Sequence, residues 1–313
     1  MRTIVSTALI GLLPLSAMAA APAAAPPTAA PAPAAPDYSQ VQIRVTRVAG
    51  DLYALEGQGG TVSVLAGPDG ALIIDSQFAP LSDKLIAAIR TFSPARLRFL
   101  LNTHVHGDHT GGNANFTKAG ATVIARDNVR QRLRYPPPNA NGTPGTPAVA
   151  EALPVVTFEG PTALYLNGQT VRMSPMPAAH TDGDVMIEFP QLDVLVVGDF
   201  FRSVGYPVAD RNNGGSFRGI VDALGIAIGK AGAATRVIPG HGPISNRAGL
   251  IEQRDMLVSA IDAVEKLVRQ GLTVEQVLAA KPTAAFDERV PQGAQNAERF
   301  VRGLYAELGS EKR

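Results

Sequence analysis

Three of the five histidines of this chain lie within six residues, in the pattern His104-x-His106-x-Asp108-His109. Imidazole nitrogens and carboxylate oxygens are zinc ligands in proteins, and a catalytic zinc keeps one position open for water. A lone histidine is usually a core or surface residue, but such residues would not cluster at these offsets. The pattern therefore predicts a catalytic metal site.

The segment before this cluster, Leu97–Asn102, is apolar and is typical of a buried strand. On an extended chain, side chains two residues apart point to the same side, so we expect His104 and His106 to converge on one metal. Asp108 and His109 lie past the strand, where the chain turns, and are expected to reach a neighbouring metal. The spacing thus allows two ions side by side.

The two remaining histidines also follow strand-like runs. His180 comes after a Pro-Ala-Ala triplet, and His241 lies in a Pro-Gly-His-Gly-Pro turn. Asp199 ends the hydrophobic run Val194–Gly198. An acid at a strand end is often only solvated, so its position alone leaves Asp199 either a ligand or a surface residue.

Composition excludes several classes of protein. The chain is 45% hydrophobic, which allows a sizeable core, and its net charge of +1 gives no electrostatic footprint for nucleic acid. There is no cysteine, so neither a disulfide nor a thiolate nucleophile or ligand can form. A small-molecule substrate is the expected partner.

The first 36 residues are set apart from the fold. Met1–Ala19 has an early cation, an apolar stretch and a small-residue end, which is typical of a secretory signal peptide. Its apolar run is shorter than the roughly 20 residues of a membrane span, so no span is expected. Residues 20–36 are almost only Ala and Pro and predict an extended tether. The expected folded domain is 37–313, exported and periplasmic.

Short β-type runs separated by glycine-containing turns occur in both halves of the chain. The predicted strands are Val41–Arg47, Leu52–Leu55, Thr61–Ala66, Ala71–Asp75, Leu97–Asn102, Ala121–Ala125, Thr162–Leu166, Thr170–Met173, Val185–Phe189, Val194–Val197 and Arg236–Ile238. Helical periodicity is found in Leu81–Phe92, Ile220–Ile228 and the tail from Gly249 onward. The proline-rich stretch Tyr135–Pro154 is predicted to be a long surface loop. This order predicts an α/β fold with two packed sheets covered by helices.

The ordered set of potential ligands resembles that of the metallo-β-lactamase fold superfamily. Its members here are His104, His106, Asp108, His109, His180, Asp199 and His241. The resemblance implies an αββα four-layer sandwich over about residues 41–308. Unlike the cysteine-using β-lactamases of the family, this chain has no cysteine. The Pro-Gly-His-Gly-Pro turn and a bridging aspartate are more similar to lactonases, glyoxalase II and other general hydrolases.

The resemblance also implies which residues hold two zinc ions. His104, His106 and His180 would bind one ion. Asp108, His109 and His241 would bind the second, and Asp199 would bridge the two. Asp75 matches the family's buried aspartate that braces the metal loops.

The implied activity is hydrolysis of a lactam, lactone, ester or amide by a metal-bound hydroxide, which Asp108 would orient. Export disfavours glyoxalase II and transfer-RNA processing, which need cytoplasmic substrates. Tyr206 is a candidate donor to the developing oxyanion, or only a packed loop tyrosine. Arg202, Arg211 and Arg218 are either ligands for a substrate carboxylate or solvated surface.

Two other classes remain open. Sulfur dioxygenases of the same superfamily share much of the motif but use one iron held by two histidines and an aspartate. A non-catalytic metal carrier would instead need a closed site without exchangeable water. The number and identity of the bound ions separate these classes from a two-zinc hydrolase.

Overall fold

Two β-sheets lie at the centre of residues 36–139, 141–291 and 293–310, which are the residues that this computed structural model describes. The strands of the first sheet, in chain order and also in spatial order, are β1 (Arg44–Ala49), β2 (Leu52–Glu56), β3 (Val62–Leu65), β4 (Ala71–Ile74), β5 (Leu97–Leu101), β6 (Thr122–Arg126) and β7 (Val156–Phe158). Those of the second sheet are β8 (Thr162–Leu166), β9 (Gln169–Pro175), β10 (Val185–Phe189), β11 (Val194–Val196), β12 (Arg236–Ile238) and β13 (Ser245–Asn246). In the second sheet, too, strands that follow one another in the chain are neighbours in space.

Helices connect and cover these sheets. They are α1 (Ser82–Arg90), α2 (Gly107–Thr110), α3 (Asn113–Lys118), α4 (Asp127–Arg134), α5 (Phe217–Lys230), α6 (Arg247–Arg269), α7 (Val274–Ala279), α8 (Ala284–Asp287) and α9 (Gly293–Ser310). Strands β1 to β4 are antiparallel, whereas β4 to β7 run parallel. The second sheet is antiparallel except for its parallel pair β11–β12. The carboxyl ends of β11 and β12 therefore lie side by side.

The two sheets pack face to face. In β4, Leu72 and Ile74 join a core with Ile187 of β10 and Val196 of β11. The alternate residues of β4, such as Ile73, face the other side and pack on helices. Because side chains alternate along a strand, an all-apolar strand such as ALII has to be covered on both faces.

Helices supply the two outer layers. The outer face of the first sheet packs against α1 and α3, through Leu85 and Phe116. The outer face of the second sheet packs against α5, α6 and α9, through residues such as Leu224, Leu257 and Leu304. The αββα four-layer sandwich expected from the sequence is confirmed.

Besides the unpredicted short strands β7 and β13 and the later start of β1, the structure corrects the local expectations in two places. Helix α4 was not predicted, because its sequence DNVRQRLR buries only Val129 and has no apolar period. Strand β5 ends at Leu101, so His104 and His106 lie in an irregular segment and not on an extended strand. The reason is that the amide of Thr103 donates to the Asp75 side chain instead of a neighbouring strand.

The predicted signal peptide and nearly all of the predicted tether lie outside the described residues. The described residues from Asp37 onward form one compact unit. Among the described residues, none of the helices is both long enough and apolar enough to cross a bilayer.

Candidate metal centre

The predicted ligands converge at one end of the sheet sandwich. They are delivered by the segment after β5 (His104, His106), by α2 (Asp108, His109), by the β9–β10 connection (His180), by the 3-10 turn after β11 (Asp199) and by the turn after β12 (His241). Three sets of their ligand atoms each lie within 4.8 Å of one another: His104/His106/His180, His104/His109/Asp199 and Asp108/His109/His241. The structure thus brings all seven residues together, and metal binding by them stays a prediction.

We name His104, His106 and His180 the first ligand group. Nε2 of His180 lies 2.8 Å from Nδ1 of His106. His104 and His180 are each 1% exposed, whereas the side chain of His106 is 28% exposed. This group therefore has one open side, at His106.

Asp108, His109 and His241 are the second ligand group. Nε2 of His241 lies 3.1 Å from Asp108 Oδ2, and Nε2 of His109 lies 3.7 Å from the same oxygen. Asp199 stands between the groups: its oxygens lie 3.2 Å from both His109 and His241, and 3.7 Å from His180 Nε2. This is the position that a bridging carboxylate requires.

Hydrogen bonds fix the tautomers of the first group, because carbonyl and carboxylate oxygens can only accept. His180 Nδ1–H donates to the carbonyl of Val208 at 2.6 Å, and His106 Nε2–H donates to Asp210 Oδ2 at 2.7 Å. His180 Nε2 and His106 Nδ1 are then bare nitrogens that face each other. Two lone pairs 2.8 Å apart repel unless a cation or a proton lies between them.

Asp75 fixes the tautomers of the remaining buried histidines. His109 Nδ1–H donates to Asp75 Oδ2 at 2.7 Å. Thr103 Oγ1 donates to the same carboxylate at 2.6 Å, so His104 Nδ1–H has to donate to Thr103 Oγ1 at 3.0 Å. In the neutral form of each imidazole, Nε2 is bare and turned to the centre. Such outer partners hold a metal-binding imidazole in the correct tautomer and orientation.

The buried polar atoms fit a metal. His104 Nε2, His109 Nε2 and Asp199 Oδ1 are each buried without a hydrogen bond of good geometry, although the last two lie 3.2 Å apart. A buried polar atom without a partner costs free energy, so native proteins rarely leave one. Cations coordinated there would account for three such atoms around one point, all with zinc-ligand chemistry.

The two groups hold charge differently. Burial lowers the pKa of His104 well below its ordinary value and that of His180 to about 4. Burial also lowers the pKa values of His109 and His241, but the neighbouring carboxylates raise them by more. Asp199 and Asp75 hold the pKa of His109 well above its usual value, and Asp108 and Asp199 raise the pKa of His241.

Two glycines allow the ligands to approach this closely. A Cβ at Gly60 would lie 2.1 Å from the His109 ring, and one at Gly240 would lie 1.9 Å from Asp199 Oδ1. Either contact is far inside van der Waals distance. These positions therefore exclude any side chain while His109 and Asp199 keep their places.

Asp210 is a functional residue that the sequence analysis missed. Besides accepting from His106, it donates its backbone amide to the carbonyl of His180 at 2.8 Å. The segment Val208–Gly215, which we call the 208–215 loop, thus supports two histidines of the first group. No local pattern marks Asp210, because its partner His106 is 104 residues away in the sequence.

A cavity of about 760 Å³ opens from the metal centre. Its walls include His106, Asp108 and His180, the loop residues 205–212, and one face of α9. Tyr206 lines it, but the Tyr206 hydroxyl donates to Asp287 Oδ1 at 2.6 Å. An oxyanion role for Tyr206 would require that bond to break, and its catalytic role stays a prediction.

The three arginines singled out in the sequence have different surroundings. Arg202 lines the cavity and donates to Asp199 Oδ2 at 3.3 Å. Arg211 also lines it and donates to Ser310 Oγ at 3.3 Å. Arg218 pairs instead with Glu265 on α6.

Known proteins resemble this chain in sequence and in fold. A hydroxyacylglutathione hydrolase from Anaeromyxobacter dehalogenans is 27% identical over 182 residues, which are 58% of this chain and 60% of that protein. The chain thus spans less than two thirds of that relative's length. A metallo-β-lactamase from Pontibacter korlensis aligns with a TM-score of 0.58 at 20% identity, covering 69% of this chain and 99% of the other. The sec-alkylsulfatase Pisa1 from Pseudomonas sp. aligns with a TM-score of 0.63 at 18% sequence identity. That alignment covers 84% of this chain and 50% of the sulfatase.

The structural alignments show a shared fold and are not evidence for a particular activity. The curated relative indicates a hydrolase-like protein. The sequence profile of the metallo-β-lactamase superfamily matches residues 55–247, a range that contains every predicted ligand. The match confirms the resemblance first seen in the motif. This chain belongs to the metallo-β-lactamase superfamily.

Proposed function

We propose that this protein is an exported hydrolase with two zinc ions, which attacks the carbonyl carbon of a lactam, lactone, ester or amide. One observation carries the proposal: Asp199 stands between two complete ligand groups, within 3.7 Å of His180 and 3.2 Å of His109 and His241. Bound zinc would supply Lewis acidity and lower the pKa of a coordinated water to about 7.

The residues of the chain have separate tasks in this reaction. Asp108 is half-buried and faces the cavity beside His241, where its free carboxylate oxygen can accept a proton or orient water. The hydrogen bonds that the imidazole N–H groups donate to Val208, Asp210 and Asp75 keep the other imidazole nitrogens aimed at the centre. A preorganised set of ligands needs no rearrangement during the reaction, which favours catalysis.

The second ligand group favours this function over a one-iron oxidoreductase. A single ion held by two histidines and an aspartate would leave Asp108, His109 and His241 without a task. Here their ligand atoms form a set of their own within 4.8 Å. The cavity beside the centre also disfavours a closed metal carrier, because it leaves room for a substrate.

Metal content is the first test. Purified protein loaded with zinc and dialysed is expected to retain two zinc ions per chain by mass spectrometry of the metals. The same measurement on protein expressed in iron-supplemented medium is the comparison. One tightly bound iron, together with oxygen consumption on a persulfide, would overturn the proposal.

Substrate class is the second test. The zinc-loaded protein is assayed with a chromogenic cephalosporin, an aryl lactone, an aryl ester and an acyl-glutathione thioester, since the curated relative is a hydroxyacylglutathione hydrolase. His106→Ala, which removes one proposed ligand, is the control and is expected to lose turnover. Equal turnover by both proteins would assign the activity to a contaminant.

Export is tested separately. Met1–Ala19 and the Ala/Pro stretch behind it motivate the proposal of a periplasmic protein. Expression of the full chain in a Gram-negative host is expected to give mature protein that begins near Ala20 in the periplasmic fraction. Retention of Met1 in the cytoplasmic fraction would contradict it.

A further inference from the structure

Helix α9 forms one wall of the catalytic cavity. Asn296, Arg299, Phe300 and Gly303 all line it, and their spacing of three and four residues places them on one face of the helix. Gly303 allows the close approach, because a Cβ there would already lie 3.1 Å from the ring of Phe217. A helix near the carboxyl end of the chain therefore contributes directly to the site.

This wall is held firmly in place. Glu307 of α9 is 7% exposed and accepts hydrogen bonds from the Ser216 hydroxyl and from the backbone amides of Phe217 and Arg218, which begin α5. Phe300 stacks on Tyr206 with ring centroids 4.5 Å apart. Arg299 lies eight residues before Glu307, about 12 Å along the same rigid helix. Its backbone position at the cavity is consequently fixed.

Arg299 differs from the other arginine of this helix. Arg302, which is not among the residues lining the cavity, pairs with Glu298 and Glu275. Within residues 36–139, 141–291 and 293–310, no carboxylate lies within ion-pair distance of Arg299. Arg299 and Arg302 are one helical turn apart. Arg299, which lines the cavity, has no acidic partner in the described chain, whereas Arg302 has two.

The carboxylates of the same cavity do not offset this charge. Those lining it in the described chain are Asp108, Asp199 and Asp210, and each contacts a histidine of the metal centre, at 3.1, 3.2 and 2.7 Å. Arg202 lies at the metal centre and pairs with Asp199, whereas Arg211 lines the cavity and donates to the Ser310 hydroxyl. In the described chain, the cavity wall that carries Arg211 and Arg299 therefore has two guanidiniums without a carboxylate partner.

We propose that Arg299 binds an anionic group of the substrate, a carboxylate in the simplest case, at the end of the molecule away from the scissile carbonyl. The proposal rests on the proposed hydrolase function and narrows it to carbonyl substrates that carry a negative charge. A guanidinium presents paired N–H donors that match a carboxylate. Arg299 does not touch the reacting atoms, so it determines specificity and is not catalytic.

The test uses two esters with the same leaving group. 4-Nitrophenyl hydrogen glutarate carries a free carboxylate, and methyl 4-nitrophenyl glutarate is its neutral counterpart. With zinc-loaded protein, Arg299→Gln is expected to raise KM for the anionic ester about tenfold, the low end for a charged hydrogen bond, with kcat unchanged. KM for the neutral ester is expected to stay the same.

Matched variants separate the charge from the fold. Arg302→Gln removes a guanidinium one turn away on the same helix and is expected to change neither KM, whereas Arg299→Lys is expected to keep part of the preference. Added salt should raise KM for the anionic ester only. Equal KM values for both esters in the wild type, or equal changes with both in Arg299→Gln, would overturn the proposal.

A second readout separates this proposal from the hydrolase function. If the wild type hydrolyses neither ester, the ester part of the proposed function fails, and binding of monomethyl glutarate is measured by calorimetry. Affinity about tenfold weaker in Arg299→Gln than in the wild type still supports the anion site. Equal affinity of the two proteins, or no binding by the wild type, overturns it.

Discussion

The metal centre is braced from two sides, one buried and one at the surface. On the buried side, Asp75 is 1% exposed and holds His109 directly and His104 through Thr103. On the other side, the 208–215 loop holds His106 and His180 through Asp210 and Val208, and its residues are half-buried or exposed. The orientation and tautomer of two imidazoles are thus fixed by core residues, and those of the other two by a surface loop.

The difference separates stability from metal affinity. Asp75 accepts hydrogen bonds from donors that have no other buried partner, so the sheet sandwich and the metal centre depend on it together. The 208–215 loop is stabilised by its own contacts, since Asp210 Oδ1 accepts from the amides of Asn212 and Asn213. Changes in the loop can therefore alter metal binding while the fold persists.

The largest expected effect comes from Asp75→Ala. It leaves the Thr103 amide, the Thr103 hydroxyl and the His109 ring N–H buried without an acceptor. We expect the free energy of unfolding to fall by about 4 kcal/mol, as for other buried charged hydrogen-bond partners that are removed. Urea unfolding of the metal-free protein measures this loss.

The control for that variant is Asp51→Ala, whose carboxylate is exposed and pairs with Arg47. It is expected to leave the urea midpoint unchanged, because an exposed ion pair contributes little. An Asp75→Ala loss below about 1 kcal/mol, the size of one ordinary hydrogen bond, would show that the buried side is not a structural brace.

Asp210→Asn tests the loop side. Asn keeps an oxygen for the amides of Asn212 and Asn213 but can turn its NH₂ toward the donor His106 Nε2–H. We expect affinity for one of two zinc ions to fall about 10–100-fold, the usual cost of losing such an outer partner, with urea stability nearly unchanged. Titration against a chromophoric chelator resolves the two events.

The control for Asp210→Asn is Asp222→Asn, a substitution of an exposed residue on α5. Equal weakening of both zinc ions by Asp210→Asn would remove the distinction between the two sides. A loss of stability in Asp210→Asn as large as that in Asp75→Ala would also remove this distinction.

The two ligand groups also predict different responses to pH. His104 and His180 have lowered pKa values, which favours their neutral form in the metal-free protein, whereas His109 and His241 have raised values, which favours their protonated form. Zinc needs neutral imidazole, so protons compete only where the pKa lies above the pH. As the pH falls from 8 to 6, zinc affinity at the second group should fall by up to about tenfold per pH unit for each proton displaced, and more steeply than affinity at the first group, where two of three histidines have lowered pKa values.

Single-site variants make this measurable. His241→Ala leaves the first group intact, and His180→Ala leaves the second. Chelator competition at pH 8, 7 and 6 gives, for each variant, the slope of the logarithm of zinc affinity against pH. Identical slopes would mean that the carboxylates around His109 and His241 do not hold protons there.

The sequence predicted the parts of this centre that are local in the chain. His104 to His109 fall within one short segment, and His180, Asp199 and His241 each follow a recognisable strand. The strands themselves were predictable because they are apolar runs between glycine turns. Patterns of this kind depend only on neighbours in sequence.

The missed residues depend on distant contacts. Asp210 gains its task from His106, 104 residues earlier, and Arg299 from the docking of α9 through Glu307 onto the start of α5. Nothing near either residue in the sequence records these contacts. The predicted strand position of His104 and His106 failed for the same reason, because the Asp75 side chain takes the Thr103 amide from 28 residues away.

The smallest expected effect is that of Tyr206→Phe, a residue that braces neither side of the centre. The hydroxyl is bonded to Asp287, and burial together with that carboxylate raises the pKa of Tyr206 above its usual value, so it stays protonated. We expect zinc affinity and kcat close to wild type, with stability lower by about 1 kcal/mol for one lost hydrogen bond. Asp287→Ala, which removes only the acceptor, should match it. A loss in kcat of about 100-fold in Tyr206→Phe, the cost of a missing oxyanion donor, would instead mean that the hydroxyl leaves Asp287 and turns to the substrate.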